Sequence, residues 1–170
     1  MDDVVLRCWR RQDAQQLSAI ANNRKIWLNL RDRFPHPYTV MDAMKWVQLH
    51  HEDDPVQHFC IEYQGKVAGG IGVLTKEDVY RCSIEIGYFV GESYWGRGIA
   101  SYAVSRMLEY IEDHFDVNRI YAEVFEHNKA SMLVLRKNGF HLEGIRQKAV
   151  LKDGVLLDDY IWVKFLNKRK

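Results

Sequence analysis

Cysteine is scarce in this sequence, and its few cysteines are not paired. The chain has 170 residues and three cysteines, Cys8, Cys60 and Cys82, with no C-x-x-C spacing. A disulfide framework or a thiolate zinc site needs several cysteines at short, regular spacings. The sequence therefore argues against both, and we expect buried thiols in a reducing compartment.

Long apolar runs and an excess of charge of one sign are also lacking. No apolar stretch approaches the length of a membrane span and the N-terminus is polar at once, so we expect a cytoplasmic protein with no membrane partner. The formal net charge is +1, which argues against a nucleic-acid partner. The terminal Lys168, Arg169 and Lys170 are expected to form a solvated tail.

Metal-ligand spacings are absent among the histidines. No H-x-x-x-H or H-E-x-x-H motif occurs, and the adjacent pair His50 and His51 would point its rings in different directions on a helix. We therefore expect no metal.

Helical and alternating patterns cover most of the chain, without repeats or linkers, and predict a single domain over residues 1–170. An irregular segment is predicted at 29–38, where two prolines interrupt the pattern. The predicted strands are 4–9, 58–63, 67–74, 82–90, 119–125 and two last strands around an Asp153-Gly154 turn, and the predicted helices are 13–21, one capped by Thr39 or Asp42, one after the turn at 96–98, and 130–137. This order, β-α-α-β-β-β-α-β-α-β-β, predicts a mixed α/β sheet.

The stretch YWGRGIAS, residues 94–101, places two glycines around Arg97 directly before a helical pattern. Glycines here permit a turn that points several N–H groups at one place. Together with a helix N-terminus and Arg97, such a turn suits a phosphate or pyrophosphate. An ordinary strand-to-helix turn is the alternative, and a lone G-x-G does not decide between the two.

Three motifs together resemble the acetyl-CoA-binding core of the GNAT N-acetyltransferase superfamily, in its RimJ/RimL-like branch. They are EIGYFV, YWGRGIAS and EHNKASMLVLRKNGF, between Glu85 and Phe140, and the element order extends the resemblance over nearly the whole chain. The resemblance implies a mostly antiparallel GNAT-type sheet with a cofactor cleft at the end of the fourth strand. The family motif [QR]-x-x-G-x-[GA] falls on residues 95–100, and Trp95 departs from it.

The resemblance also implies where acetyl-CoA binds. Its pyrophosphate would lie on the N–H groups of the glycine turn, and its pantetheine arm would pair with the end of the fourth strand. Asn128 would contact the pantetheine, although an asparagine at a strand-to-helix junction is at least as well explained as a helix cap. The implied cofactor-binding residues are Phe89, Val90, Gly91, Trp95, Gly96, Arg97, Gly98, Ile99, Ala100, Ser101, Asn128 and Ser131.

Acetyl transfer needs a base, because a primary amine must be neutral before it attacks the thioester. Glu85 lies where many superfamily members keep an acid, and burial between Ile84 and Ile86 would raise the pKa of its carboxyl. A structural acid paired across the sheet is the alternative for Glu85, and Glu123 on the fifth strand is a rival base.

The group that reprotonates the departing thiolate is another open point. Many family members carry a tyrosine seven residues after the asparagine, where this chain has Leu135. We predict Ser131 as the acid instead, and the alternative is a serine that bonds its own backbone in the first helical turn. The N–H of Val90 is the simplest candidate to hold the oxyanion.

The irregular segment between the first helices forms part of the acceptor wall in this family. Aromatic rings with interleaved polar groups suit a pocket mouth, and equally suit a loop packed on the core. The candidate substrate-binding residues are Trp27, Asn29, Arg31, Phe34 and Tyr38.

The predicted function is acetyl-CoA-dependent N-acetylation of a primary amine, either a protein N-terminus or a small molecule. A non-catalytic CoA-binding or sensing module of the same fold is the alternative, since the tyrosine is missing. A nucleotide-binding function is disfavoured because G-x-x-x-x-G-K-[ST] does not occur. A homodimer is left open.

Overall fold

The computed structural model describes residues 3–50 and 54–166, which form seven strands and five α-helices. The strands are β1 Val4–Cys8, β2 His58–Tyr63, β3 Lys66–Thr75, β4 Ser83–Val90, β5 Arg119–Phe125, β6 His141–Lys152 and β7 Val155–Phe165. The helices are α1 Ala14–Ala21, α2 Arg24–Trp27, α3 Val40–His50, α4 Ile99–His114 and α5 Lys129–Lys137. His51 and the expected tail at Lys168, Arg169 and Lys170 lie outside the described residues.

The strands form one mixed sheet in the order β1-β2-β3-β4-β5-β7-β6. Strand β4 runs parallel to β5, because α4 lies between them in the chain and the connection is a crossover. The pairs β1–β2, β2–β3, β5–β7 and β6–β7 are antiparallel. The predicted mixed, mostly antiparallel sheet is therefore confirmed, and β2, β3 and β4 are neighbours in it, as the predicted meander requires.

Most predicted elements occur within two residues of their predicted bounds, and local chemistry explains why. Asp42 accepts hydrogen bonds from the Thr39 N–H at 2.9 Å and hydroxyl at 2.5 Å, and its own N–H donates to Thr39 at 3.2 Å. This reciprocal cap starts α3, as predicted. The one-turn helix α2 was missed, because four residues are too few for a helical period to show.

Within the described residues the backbone packs as two compact units, residues 3–72 with 88–103 and residues 73–87 with 104–166. In the first unit, helices α1 and α3 cover a core of Trp9, Ala14, Leu17, Ala21, Tyr38, Ala43, Val47, Cys60 and Val67. In the second unit, the fully buried large side chains include Val73, Ile84, Val104, Met107, Ile111, Ile120 and Leu135. The single-domain organisation stays a prediction. No helix in the described ranges is both long and apolar enough to cross a membrane.

The three cysteines are free, but their burial differs from the expectation. Only Cys60 is buried, and burial raises the pKa of its thiol to about 12. Cys8 and Cys82 are exposed, because one ends β1 and the other directly precedes β4. The expectation of buried thiols is therefore wrong for these two. Among the described side chains, no cluster of three or more His, Cys, Asp or Glu could hold a metal ion.

Candidate active site

Short backbone hydrogen bonds fix the path of the chain where it leaves β4. The N–H of Gly91 donates to the carbonyl of Ala68 at 2.8 Å, which holds the end of β4 against β3. The N–H of Tyr94 donates to the carbonyl of Gly91 at 2.9 Å and closes a tight turn over residues 92–94. The chain therefore approaches the two glycines of the motif from a defined direction.

Gly96 and Gly98 both adopt the left-handed backbone conformation that glycine favours. Their φ angles are +75° and +76°, where an L side chain is strained. A Cβ added at Gly96 would meet no atom within 4 Å, so the requirement for glycine there is conformational rather than steric. We name residues 96–101 the glycine turn.

Helix α4 begins directly after these glycines. The N–H of Tyr102 donates to the carbonyl of Gly98 at 3.0 Å, so helical geometry leaves the N–H groups of Ile99 and Ala100 without an intrahelical acceptor. Arg97 is exposed, and its guanidinium carbon lies 6.0 Å from the ring centroid of Tyr63. Free N–H groups, a helix N-terminus and a cation suit a pyrophosphate, so the glycine turn fits the anion that the sequence predicted.

The end of β4 lies beside the glycine turn in the first unit. A Cβ added at Gly69 would come within 2.2 Å of the carbonyl oxygen of Phe89, so glycine there permits a close approach of β3 to β4. The Phe89 ring packs edge-on against Phe34, with 5.5 Å between centroids. Val90 is buried, and its carbonyl accepts a hydrogen bond from Trp95 Nε1 at 2.6 Å. The structure thus brings together the predicted residues of β4 and of the glycine turn.

Glu85, the predicted base, lies in a polar network of the second unit. Its Oε2 accepts hydrogen bonds from Lys76 Nζ at 3.0 Å and from the Tyr121 hydroxyl at 3.3 Å, between the buried Ile84 and Ile86. Burial lowers the pKa of Lys76, but hydrogen bonds with Tyr121 and Glu85 outweigh it, and the net direction is upward. Glu85 therefore has the ion pair of the structural alternative, and its role as base stays a prediction.

Glu123, the rival base, is also held by a cation. Arg146 contacts Glu123 Oε1 at 2.8 Å and donates from Nε to Asp159 Oδ2 at 3.1 Å. Hydrogen bonding to the buried Asp159 raises the pKa of Arg146. Because side chains alternate along a strand, Glu123 and Tyr121 share one face of β5. Both candidate bases are therefore carboxylates that an ion pair stabilises.

The residues at the start of α5 have the local role that the sequence offered as an alternative. Asn128 Oδ1 accepts a hydrogen bond from the N–H of Ser131 at 3.1 Å and so caps the helix. The contact of Asn128 with pantetheine and the acid role of Ser131 stay predictions. Leu135, which replaces the tyrosine of many family members, is fully buried.

Two of the predicted acceptor-wall residues pack into the core of the first unit. Phe34 and Tyr38 stack at 4.6 Å between centroids, and Tyr38 is only 6% exposed. Burial, with a smaller effect of Asp42, raises the pKa of Tyr38 to about 12. For these two residues, the alternative of a loop packed on the core describes the structure.

The other three predicted acceptor-wall residues lie nearer the surface. Trp27 is half-buried and stacks on His36, with 5.6 Å between ring centroids. Asn29 Nδ2 donates to the carbonyl of Lys25 at 2.8 Å, and Arg31 is exposed. Their contact with an acceptor stays a prediction.

Sequence reasoning missed the three side chains that hold the candidate bases, Lys76, Tyr121 and Arg146. Tyr121 alternates with Glu123 in RIYAEVF, so the period of a strand could have revealed it. Lys76 and Arg146 come from other parts of the chain, and only strand pairing shows that they are near the carboxylates.

Comparison with known proteins defines the class of protein to which this chain belongs. A family model described as an acetyltransferase (GNAT) domain matches residues 3–141. The chain therefore belongs to the GNAT acetyltransferase family and is an N-acetyltransferase, as predicted.

Individual relatives agree with this class. The probable N-acetyltransferase YjcK of Bacillus subtilis is 34% identical over 130 residues, which cover 73% of this chain and 71% of that protein. The [ribosomal protein uS5]-alanine N-acetyltransferase of Escherichia coli is 27% identical over 161 residues, covering 90% and 82%. The structure of Mycobacterium smegmatis RimJ in complex with CoA-disulfide matches with a TM-score of 0.83 and 25% identity, covering 95% of this chain and 81% of that one. The predicted RimJ/RimL-like resemblance is confirmed.

Proposed function

We propose that this N-acetyltransferase moves the acetyl group of acetyl-CoA to a primary α-amine, at a protein N-terminus or on a small molecule. The observation that carries the proposal is the 3.0 Å contact between Lys76 Nζ and the Glu85 carboxylate. An ammonium at this distance favours the ionised carboxylate, which makes Glu85 a weaker proton acceptor. A weak base suits an acceptor amine that is already partly neutral at physiological pH.

The two classes of primary amine differ widely in this property. An α-amine has a pKa of about 8, whereas a lysine-type amine has a pKa of about 10.4. At pH 7.5, about a quarter of α-amines but only about one in a thousand lysine-type amines are neutral, a ratio of about 200. An α-amine therefore depends far less on proton removal by Glu85 before it can attack the thioester.

The donor side of the proposed site uses the glycine turn. When bound there, acetyl-CoA supplies an activated acetyl thioester. The N–H groups at the start of α4 and the Arg97 guanidinium hold its pyrophosphate. Residues 89–91 pair with the pantetheine arm, Asn128 contacts it, and the Val90 N–H holds the oxyanion.

The chain's own carboxylate and hydroxyl groups move the protons. Glu85 accepts the proton of the amine, directly or through a water, and Ser131 returns a proton to the departing thiolate. Glu123 is the rival to Glu85, held by Arg146 as Glu85 is held by Lys76. Trp27, Asn29 and Arg31 belong to the acceptor side.

A panel of acceptors tests the acceptor class. Release of CoA thiol is measured with peptides that begin with alanine or serine, free amino acids, spermidine, and a peptide whose only amine is a lysine side chain. At pH 7.5 we expect kcat/KM to be at least about tenfold higher for the α-amines, with the gap narrowing as pH rises. A preference for spermidine or for the lysine side chain at pH 7.5 would contradict the proposal.

A glycine substitution tests the donor site. In Gly98→Val, a β-branched residue is placed at a φ of +76°, so the N–H groups of the glycine turn lose their direction. We expect the affinity for CoA, measured by calorimetry, to fall about a hundredfold or more as charge-assisted hydrogen bonds are lost. Gly65→Val is the matched control, because Gly65 has a φ of +75° in the β2–β3 turn. Equal affinities in the two variants would remove the glycine turn from the site.

A further inference from the structure

The side chain of Trp95 makes one short and specific contact. Its Nε1 donates to the carbonyl of Val90 at 2.6 Å, five residues back along the chain. Trp95 is 46% exposed, whereas Val90 is only 8% exposed. Because nearly half of the residue faces solvent, burial does not by itself account for a tryptophan here. The hydrogen bond to a buried carbonyl is the more informative feature.

The direction of this carbonyl follows from the strand geometry. The N–H and C=O groups of one residue in a strand point to the same side, and those of the next residue point to the other side. The N–H of Gly91 points toward β3, because it donates to Ala68 at 2.8 Å. The N–H and C=O of Val90 therefore point away from β3. On this edge of β4, the Trp95 indole N–H donates to the Val90 carbonyl, and the N–H of Val90 stays available to a ligand.

The same hydrogen bond ties together the two ends of the turn that precedes the glycines. The N–H of Trp95 donates to the carbonyl of Glu92 at 3.1 Å, so both the backbone and the side chain of Trp95 bond back toward β4. Gly96 and Gly98 follow directly, and a residue with a φ near +75° changes chain direction strongly. The position of Trp95 therefore sets where the glycine turn begins and where its N–H groups point.

We propose that Trp95 is a positioning residue for acetyl-CoA, and that its indole N–H acts by holding the Val90 carbonyl. The inference rests on the proposed donor site at the glycine turn. It also explains the departure from the family motif, since glutamine and arginine at this position share one property with tryptophan, a side-chain N–H donor at the end of a long side chain. The site needs the side-chain N–H donor of this residue rather than its aromatic ring.

Three variants separate the donor from the ring. Trp95→Phe keeps a ring and removes the N–H, so we expect the Kd for CoA, measured by calorimetry, to rise about tenfold, because the Val90 carbonyl loses its partner. Trp95→Gln restores an N–H without a ring and should bind CoA within about twofold of the parent protein. Trp46→Phe is the matched control at another partly exposed tryptophan, and it should leave the affinity unchanged.

The outcomes distinguish this inference from the proposed function. Loss of CoA binding in Gly98→Val with unchanged binding in Trp95→Phe would overturn the inference alone. Full affinity in Gly98→Val would overturn the donor site on which it rests. Weak binding in a folded Trp95→Gln, equal to that of Trp95→Phe, would also overturn the inference, because it would assign the effect to the ring.

A measurement on the unmodified protein covers the case in which Trp95→Phe does not fold. The indole N–H signal of Trp95, observed by nitrogen-15 NMR in the CoA complex, should exchange with solvent more slowly than that of Trp46. Trp95→Gln identifies the signal by its disappearance. Exchange as fast as that of Trp46 would show that the hydrogen bond to Val90 is not kept with CoA bound, and would overturn the inference.

Discussion

Replacing Glu85 by glutamine tests the proposed chemistry most directly. The amide keeps the shape of the side chain and can still accept a hydrogen bond from Lys76, but it cannot accept the proton of an amine. We expect turnover with the best α-amine acceptor to fall by about a hundredfold or more, the usual contribution of a general base. The affinity for CoA should stay near that of the parent protein, because residues 96–101 are unaltered.

The structure also sets the expected change in stability. The Lys76 and Glu85 side chains are 27% and 12% exposed, so their ion pair is partly rather than fully buried. Loss of the charge with retention of a hydrogen bond should cost about 1 kcal/mol in the free energy of unfolding. For a chain of 170 residues, this lowers Tm by about 2–4 °C. Glu85→Gln should therefore remain folded at assay temperature.

Turnover, CoA affinity and Tm should be measured on one preparation of each variant. Glu143→Gln is the matched control, since Glu143 also forms an ion pair, with Arg119, but is 42% exposed. Glu123→Gln tests the rival base under the same conditions. Near-normal turnover in a folded Glu85→Gln would refute the reasoning, and a large loss of turnover in Glu123→Gln would assign the role of base to Glu123.

In Lys76→Met, the low-pH limb of the rate profile should move to higher pH, because the Lys76 ammonium is no longer present to favour the ionised Glu85 carboxylate.

Asp13→Ala should lower the free energy of unfolding by about 3 kcal/mol in denaturant titrations, because it removes the acceptor of two Arg7 hydrogen bonds at 2.7 and 2.9 Å from a buried site. Glu109→Ala, which breaks an exposed ion pair, is the control and should change the free energy of unfolding by less than about 1 kcal/mol. Equal losses of stability in the two variants would contradict the role of burial. The pKa of Tyr38 is raised to about 12, against about 10 when unfolded, so its stabilising effect is present below pH 10 and lost between pH 10 and 12. Tyr38→Phe should remove that part of the pH dependence of stability. An unaltered profile of stability against pH would contradict the effect assigned to Tyr38. In thiol titration, the two exposed cysteines should react in the native protein and Cys60 only after unfolding; fast reaction of all three would refute its burial.

The sequence by itself determined the order of the strands and of the longer helices, and the turns at two pairs of residues. The Asp153-Gly154 pair predicted the last hairpin, and both residues have positive φ, at +52° and +78°. Likewise, Gly96 and Gly98 predicted a turn before a helix, and the structure has it. These features depend on backbone preferences over a few residues, which a short stretch of sequence contains completely.

Only the tertiary structure decided which side chains meet. Glu85 contacts Lys76 and Tyr121, and Glu123 contacts Arg146, because strand register brings separate segments together. The sequence left two interpretations open for Glu85, a base among apolar neighbours and a structural acid paired across the sheet, and only the fold shows that an ammonium lies 3.0 Å from its carboxylate. Such pairings depend on register and burial, which arise from contacts between residues distant in the chain, so local patterns do not contain them.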